Sequence, residues 1–170
     1  MQTILLARLA RLGALIAATT LATTAALAAF PEKPIRLVVP FAPGGGTDLI
    51  ARTLGAGMSQ ALGQTVIVDN KPGAGTIIGT DAVAKSPADG YTLVIATFAH
   101  AVNPSLQARL PFDPVKAFTP VILIGRGPNV LVVRADSPYK TVKDLVAAAR
   151  AKPGKLTYAS QGNGTSAHLA

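Results

Sequence analysis

The sequence contains no cysteine and no tryptophan, two histidines, and eight acidic residues against sixteen basic ones in a chain of 170. Without cysteine, a disulfide scaffold and a thiolate-held zinc or iron–sulfur centre are both excluded. His100 and His168 stand outside any His-Glu-x-x-His setting, and no Gly-x-Ser-x-Gly elbow is present, so the common hydrolytic machinery is missing as well. Both histidines read first as structural, although His100 follows a strand-like run and is placed to reach a ligand at a sheet edge. Charged residues are sparse at 14% and hydrophobic ones reach 49%, which excludes a disordered chain. The lysines and arginines are scattered, with no run and few interleaved aromatics, and this argues against nucleic-acid binding. The net charge of +8 suits either a mild attraction for anionic small molecules or a solvated basic surface.

Much of the mean hydropathy of +0.41 lies at the N-terminus. Arg8 and Arg11 precede an uncharged run from Leu12 to Ala29 that closes on Ala26-Leu27-Ala28. A basic region, an apolar region and a small-x-small site are the three parts of a secretory signal. The run is also nearly long enough for a membrane anchor. Thr19, Thr20, Thr23 and Thr24 weaken that alternative, and cleavage is expected after Ala28. Removing residues 1–28 leaves 142 residues with a formal charge of +6. An exported chain without cysteine fits a bacterial periplasm.

From Pro31 the chain alternates strand-length apolar runs with helical stretches. Ile35–Phe41 reads as a buried strand, and Thr47–Leu62 as a helix whose stripe is Ile50, Leu54, Met58 and Leu62, stopped by Gly63. A second strand over 65–69, a helix over 76–85 and a third strand over 91–97 complete a strand–helix–strand–helix–strand series. Such a series makes a parallel α/β sheet, with the uncharged 91–97 run as its expected centre. A proline-rich irregular segment follows, then strand-like runs at 121–124 and 130–134, split by Gly125-Arg126-Gly127-Pro128. Thr141 and Asp144 form a capping-box pair opening a helix with stripe Val142, Leu145, Val146 and Ala149. Leu156–Ala159 reads as a strand, leading into the glycine-rich turn Ser160–Ser166.

The strongest local signal is Pro40-Phe41-Ala42-Pro43-Gly44-Gly45-Gly46-Thr47-Asp48, between the first strand and the first helix. Three glycines let the backbone curl, and N–H groups at a helix N-terminus suit a carboxylate or phosphate. The alternative is a tight turn that uses glycine only for its φ angles. Asp48, in the first turn, would satisfy remaining amides or orient the loop. Leu49 replaces the third glycine of a dinucleotide loop, and no glycine precedes a Lys-Ser/Thr pair, so nucleotide binding is a minor reading. Three segments that follow strands are the candidate ligand contacts. The first is Phe41–Asp48, with Phe41, Pro43, Gly44, Gly45, Gly46 and Asp48. The second is Thr97–Asn103, with Thr97, His100 and Asn103. The third is Ser160–Ser166, with Ser160, Gly162, Asn163, Gly164 and Thr165. All three lack basic side chains, so recognition would rest on neutral donors and helix dipoles. No metal site and no cofactor is expected.

The ordered motifs Phe30-Pro31-Glu32-Lys33-Pro34-Ile35, Val39-Pro40-Phe41-Ala42-Pro43-Gly44-Gly45-Gly46-Thr47-Asp48, Val68-Asp69-Asn70-Lys71-Pro72-Gly73-Ala74-Gly75, Asp89-Gly90-Tyr91-Thr92-Leu93, Asn103-Pro104-Ser105-Leu106, Phe112-Asp113-Pro114 and Tyr158-Ala159-Ser160-Gln161-Gly162-Asn163-Gly164 span nearly the whole mature sequence. In these the chain resembles the Bug family, periplasmic solute receptors of tripartite tricarboxylate transporters. The resemblance implies a two-domain α/β periplasmic-binding-protein fold of the type II, Venus flytrap kind. It implies a small carboxylate held between domains, handed to integral-membrane permease subunits without chemistry. In the family the glycine loop after the first strand and the loop opening domain two hold a ligand carboxylate through main-chain and hydroxyl donors. Those loops map to Phe41–Asp48 and Ser160–Ser166. Phe98 stands where a small or polar residue is expected.

The expected organisation is a signal over 1–28, a first α/β domain over 29–124, and a crossover with the start of a second domain over 125–170. Family members are longer, so the expectation is a C-terminally incomplete receptor, less stable alone than a full-length one. An exported enzyme with a glycine-loop anion site and a sensing receptor are the competing functions. Expression with secretion should yield a product whose N-terminus is Ala29 by Edman sequencing; recovery of intact Met1 on the membrane would favour the anchor.

Overall fold

The computed structural model describes residues 30–170. The expected export signal lies outside the described residues. The elements in chain order are β1 (Ile35–Val39), α1 (Gly46–Leu62), β2 (Val66–Asn70), a 3-10 turn (Ala74–Thr76) running into α2 (Ile77–Ala84), β3 (Thr92–Val94), α3 (Phe98–Leu106), α4 (Val142–Ala151) and α5 (Ser166–Leu169). The strands form one parallel sheet in the order β2-β1-β3, with Ile35 opposite Val66 and Arg36 opposite Thr92. This is the α/β arrangement that the strand–helix alternation predicts.

The centre of the sheet differs from the sequence expectation. β1, not the 91–97 run, is the middle strand, and Ile35, Leu37, Val38 and Val39 are each at most 3% exposed. Burying such side chains stabilises the fold by about 1.5–3 kcal/mol each. β3 is an edge strand of three half-buried residues, extended by one bond in which the Ile95 N–H donates to the Val38 carbonyl at 3.0 Å.

Helix α1 packs on β1 and β2 with its buried face rotated from the predicted stripe, of which Leu54 and Met58 are half-buried. The residues it buries are Asp48, Ala51 and Gly55, while Ile50 and Leu62 remain exposed. The reason is steric. A Cβ at Gly55 would sit 3.4 Å from Val66 Cγ1 and 3.5 Å from Val68 Cγ2, so the small residues are what allow the helix to approach the sheet. The Ser59 hydroxyl then bridges the layers, donating to the Gly55 carbonyl at 2.7 Å and accepting the Val66 N–H at 2.8 Å. Leu37, Val39, Ala51 and Ile95 form the core on this face. Leu49, Ile50 and Leu54 line an open apolar recess of about 360 Å³ with Ile124. Gly63 ends α1 in the left-handed conformation at φ 65°, as its position predicts.

Three further expectations fail. The 97–103 segment, read as a loop, is largely helix α3, which runs through Pro104. The runs 121–124, 130–134 and 156–159 form no strand. A strand exists only where a neighbour supplies N–H and C=O partners, and among the described residues these runs find none; Val121, Ile122, Val130 and Val132 are 76–82% exposed. Among the described residues no second sheet is formed, so one parallel sheet stands where the resemblance implies a two-domain fold. The capping box at Thr141 is present, with the Asp144 N–H donating to Thr141 Oγ1 and the Thr141 N–H to Asp144 Oδ2.

α2 packs against β1 and β3, and its Gly79 lies against the residues that follow β1 and β2, where a Cβ would be 2.7 Å from the Lys71 carbonyl oxygen and 2.9 Å from Pro40 Cβ. Helix propensity alone predicts that Gly79→Ala stabilises by about 1 kcal/mol. The clash reverses the sign, and we expect a net loss of about 1–3 kcal/mol in urea unfolding; a raised midpoint would show that α2 is not seated this closely.

Candidate functional site

Three polar turns lie at the C-terminal ends of the strands or follow them in the chain. The first begins where β1 stops at Val39 and ends where α1 starts at Gly46, with Gly44 at φ 87°. Asp48, in the first turn of α1, is 3% exposed. Its Oδ2 accepts the Gly44 N–H and the Arg52 Nε–H, both at 2.9 Å, and its Oδ1 accepts from Asn70 Nδ2 at 3.0 Å. Asn70 Nδ2 also donates to the Phe41 carbonyl at 3.1 Å, and Arg52 Nη2 donates to Asn70 Oδ1 at 3.2 Å. The cycle joins the end of β1, the start of α1 and the end of β2.

Asp48 is thus committed to its own loop. Its carboxylate takes the Gly44 N–H, and the exposed Gly45 and Gly46 present their backbone at the positive end of the α1 dipole. Pro43 is exposed and Phe41 half-buried at the start of the same turn. The hydrogen bond from Arg52, then that from Gly44, hold the Asp48 carboxyl down from its usual 3.8 to about 2, and Asp48 in turn raises Arg52. The attraction between these two charges is internal to α1, which leaves the loop without a free basic side chain.

The second turn is Gly73–Thr76, where four consecutive residues have positive φ: 128°, 47°, 60° and 81°. Thr76 is β-branched and 4% exposed, so its left-handed backbone is a strained one, costing about 1–3 kcal/mol. Side-chain bonds hold it. The Thr80 hydroxyl donates to the Thr76 carbonyl at 2.9 Å, and Asn103 Nδ2 donates to the Gly75 carbonyl at 2.9 Å and to Thr76 Oγ1 at 3.4 Å. Asn103 is itself 3% exposed.

The third turn, Ser160–Ser166, is built on Gly162 at φ 117° and Gly164 at φ 78°. Ser160 Oγ accepts the Gly162 N–H at 3.3 Å, and the buried Thr165 hydroxyl donates to the Gly162 carbonyl at 2.7 Å. The turn meets the second one. A Cβ at Gly75 would lie 2.7 Å from the Asn163 carbonyl oxygen, and a Cβ at Gly164 would lie 3.3 Å from Asn103 Oδ1.

From the 97–103 segment it is therefore Asn103 that meets the 160–166 turn. Thr97 precedes α3 and accepts the His100 N–H on its carbonyl. His100 is placed in an aromatic cluster, its ring 5.2 Å from Phe118 and 6.2 Å from Phe112, with Nε2 2.9 Å from the Pro114 carbonyl oxygen. That is a packing position. Phe98 is half-exposed at the start of α3. Arg52, Asn70, Gly75 and Thr76 were not among the predicted contacts. The spacing of four between Asp48 and Arg52 is a legible helical ion-pair signal; the partnership of Asn70 and the left-handed Thr76 have no local one. Among the described residues, no group of three or more His, Asp or Glu side chains is placed to hold a metal ion, and no helix is long and apolar enough to cross a membrane.

A depressed folded-state value means that Asp48 contributes stability above its ordinary 3.8 and loses it as pH falls toward about 2. The urea midpoint of the wild type should therefore fall toward that of Asp48→Asn on acidification across this window, and a gap between the two that does not change with pH would contradict the cycle.

Comparison with known proteins places the chain in a family. The family described as tripartite tricarboxylate transporter family receptor, TctC, matches residues 50–170. The UPF0065 protein in the tcbD-tcbE intergenic region of Pseudomonas sp. (strain P51) is 48% identical over 159 residues, 93% of this chain and 47% of that one. Protein BugT of Bordetella pertussis is 40% identical over 163 residues, covering 95% of this chain and 50% of its own length. Among solved structures, R. palustris Rpa4515 with adipate is 42% identical at a TM-score of 0.76, over 82% of this chain and 47% of that one. The periplasmic binding protein BugD is 36% identical at 0.69, over 82% and 47%. MatC (Rpa3494) from Rhodopseudomonas palustris with bound malate is 35% identical at 0.68, over 71% and 42%. The chain spans about half the length of the relatives it matches. With the family matched over most of the sequence, the chain belongs to the TctC, or Bug, family of non-enzymatic receptors of tripartite tricarboxylate transporters.

Proposed function

We propose that this chain serves in the periplasm as a solute receptor that holds a small carboxylate on the backbone of its glycine turns and passes it to the permease subunits of a tripartite transporter. The observation that carries the reading is the Asp48 cycle, which fixes Gly44–Gly46 at the N-terminus of a 17-residue helix while spending only one of the loop's N–H groups. A carboxylate meeting such a terminus gains charge-assisted hydrogen bonds and the favourable end of the helix dipole without an arginine. The turn then binds an anion reversibly, as delivery requires. Two structural relatives carry adipate and malate, both small dicarboxylates, which supports a small carboxylate as the ligand class.

In this reading Phe41, Pro43 and Gly44–Gly46 frame one side of the ligand, and Ser160, Gly162, Asn163, Gly164 and Thr165 the other. Residues 29–124 form the first domain, and 125–170 the crossover and opening of the second. Asp48 acts on the ligand only through the loop it holds.

Adipate or malate should raise the melting temperature of the chain and be recovered unchanged, while Gly44→Val, which forces a β-branched residue to φ 87°, should abolish the rise. A screen in which no dicarboxylate, tricarboxylate, aromatic acid or amino acid shifts the melt would overturn the ligand class.

A further inference from the structure

The turns Gly73–Thr76 and Ser160–Ser166 are about ninety residues apart in sequence and meet at backbone distance. At both contact points the residue is a glycine whose missing Cβ makes room: Gly75 beneath the Asn163 carbonyl, Gly164 beside Asn103 Oδ1 and Leu106 Cδ1. Between them lies one side chain, Asn103, 3% exposed, whose amide donates to Gly75. Of the five buried polar residues among the described ones, Thr76 and Thr165 lie in these turns, and Thr80 and Asn103 hydrogen-bond to Thr76 from the helices beside them. A left-handed threonine is not held by its own preferences, so its geometry depends on this hydrogen bonding.

We propose that Asn103 is a positioning residue that tethers the strained Gly73–Thr76 turn and seats the Ser160–Ser166 turn against it. Its amide fixes the Gly75 carbonyl, which sets the direction of the surface on which Asn163 rests. Its other face, Oδ1, is the wall that Gly164 abuts. The two turns therefore move together or not at all. What this does for carboxylate binding rests on the receptor reading above, since it would set the spacing of the candidate loops; the tether itself is a property of the ligand-free chain.

Hydrogen exchange on the chain without ligand decides it. Asn103→Ala should speed amide exchange about tenfold, the scale of one lost buried hydrogen bond, in peptides covering both 73–79 and 160–168, with the β1 and β2 peptides unchanged. Asn103→Asp, similar in shape but without the amide donor, should do the same. Gly164→Ala, made on the opposite turn, should loosen 73–79. Wild-type exchange at 160–168 in Asn103→Ala, wild-type exchange at 73–79 in Gly164→Ala, or equal acceleration in β1 would each overturn the tether. No ligand enters the readout, so a failed adipate titration bears on the receptor reading and leaves this result to stand or fall alone.

Discussion

The buried carboxylate of Asp48 is the constraint on which the first half of the site depends. A charge taken from water needs partners, and here they come from three separate elements: the Gly44 N–H, the Arg52 guanidinium and the Asn70 amide. Satisfying that one group fixes the entry angle of α1, the path of the glycine turn and the end of β2 together. The turn is then rigid without being packed, and Gly45 and Gly46 stay open to solvent. Small residues complete the arrangement, because Ala51 and Gly55 bring the helix close enough to the sheet for Asp48 to reach its partners.

The second turn uses the opposite strategy. Where Asp48 closes a cycle of ionic hydrogen bonds, Gly73–Thr76 stores backbone strain and is held by neutral groups, Thr80 and Asn103. The two devices meet the same requirement. In the proposed reading, a receptor that binds through main-chain donors has little side-chain chemistry to tune, so its specificity would lie in where the backbone is held. A carboxylate and an amide that do not face outward would then have most influence on the site.

Much of the sheet was legible in the sequence. Ile35–Val39 and Val66–Val68 are short, mostly apolar runs near turn residues, and Gly63 and Thr141 carry local stop and start signals that tertiary context does not override. The errors have a common cause. A strand is a relation between chains of residues, and runs such as 121–124 and 130–134 have the composition without a partner among the described residues. The α1 stripe misled because apolar periodicity reports hydrophobicity, whereas close approach to a sheet selects for small side chains. α3 was missed because Pro104 suggested an irregular segment, yet it falls in the last turn of a nine-residue helix. In the site, the glycine turns Gly44–Gly46 and Ser160–Ser166 are legible in the sequence, while the left-handed Gly73–Thr76 turn is not. The pairing of Asp48 with Asn70, 22 residues on, and the reach of Asn103 to Gly75 are long-range facts that no window of sequence contains.

The central claim is that a carboxylate sits on the backbone of turns held in place by these buried groups. Backbone amide chemical shifts during an adipate titration test it most directly, since the glycine N–H resonances are the groups invoked. The account predicts that the largest shifts fall on Gly44, Gly45, Gly46 and Thr47 together with Gly162–Thr165, at a single saturating concentration. Shifts confined to other parts of the chain, with these amides unmoved, would contradict it.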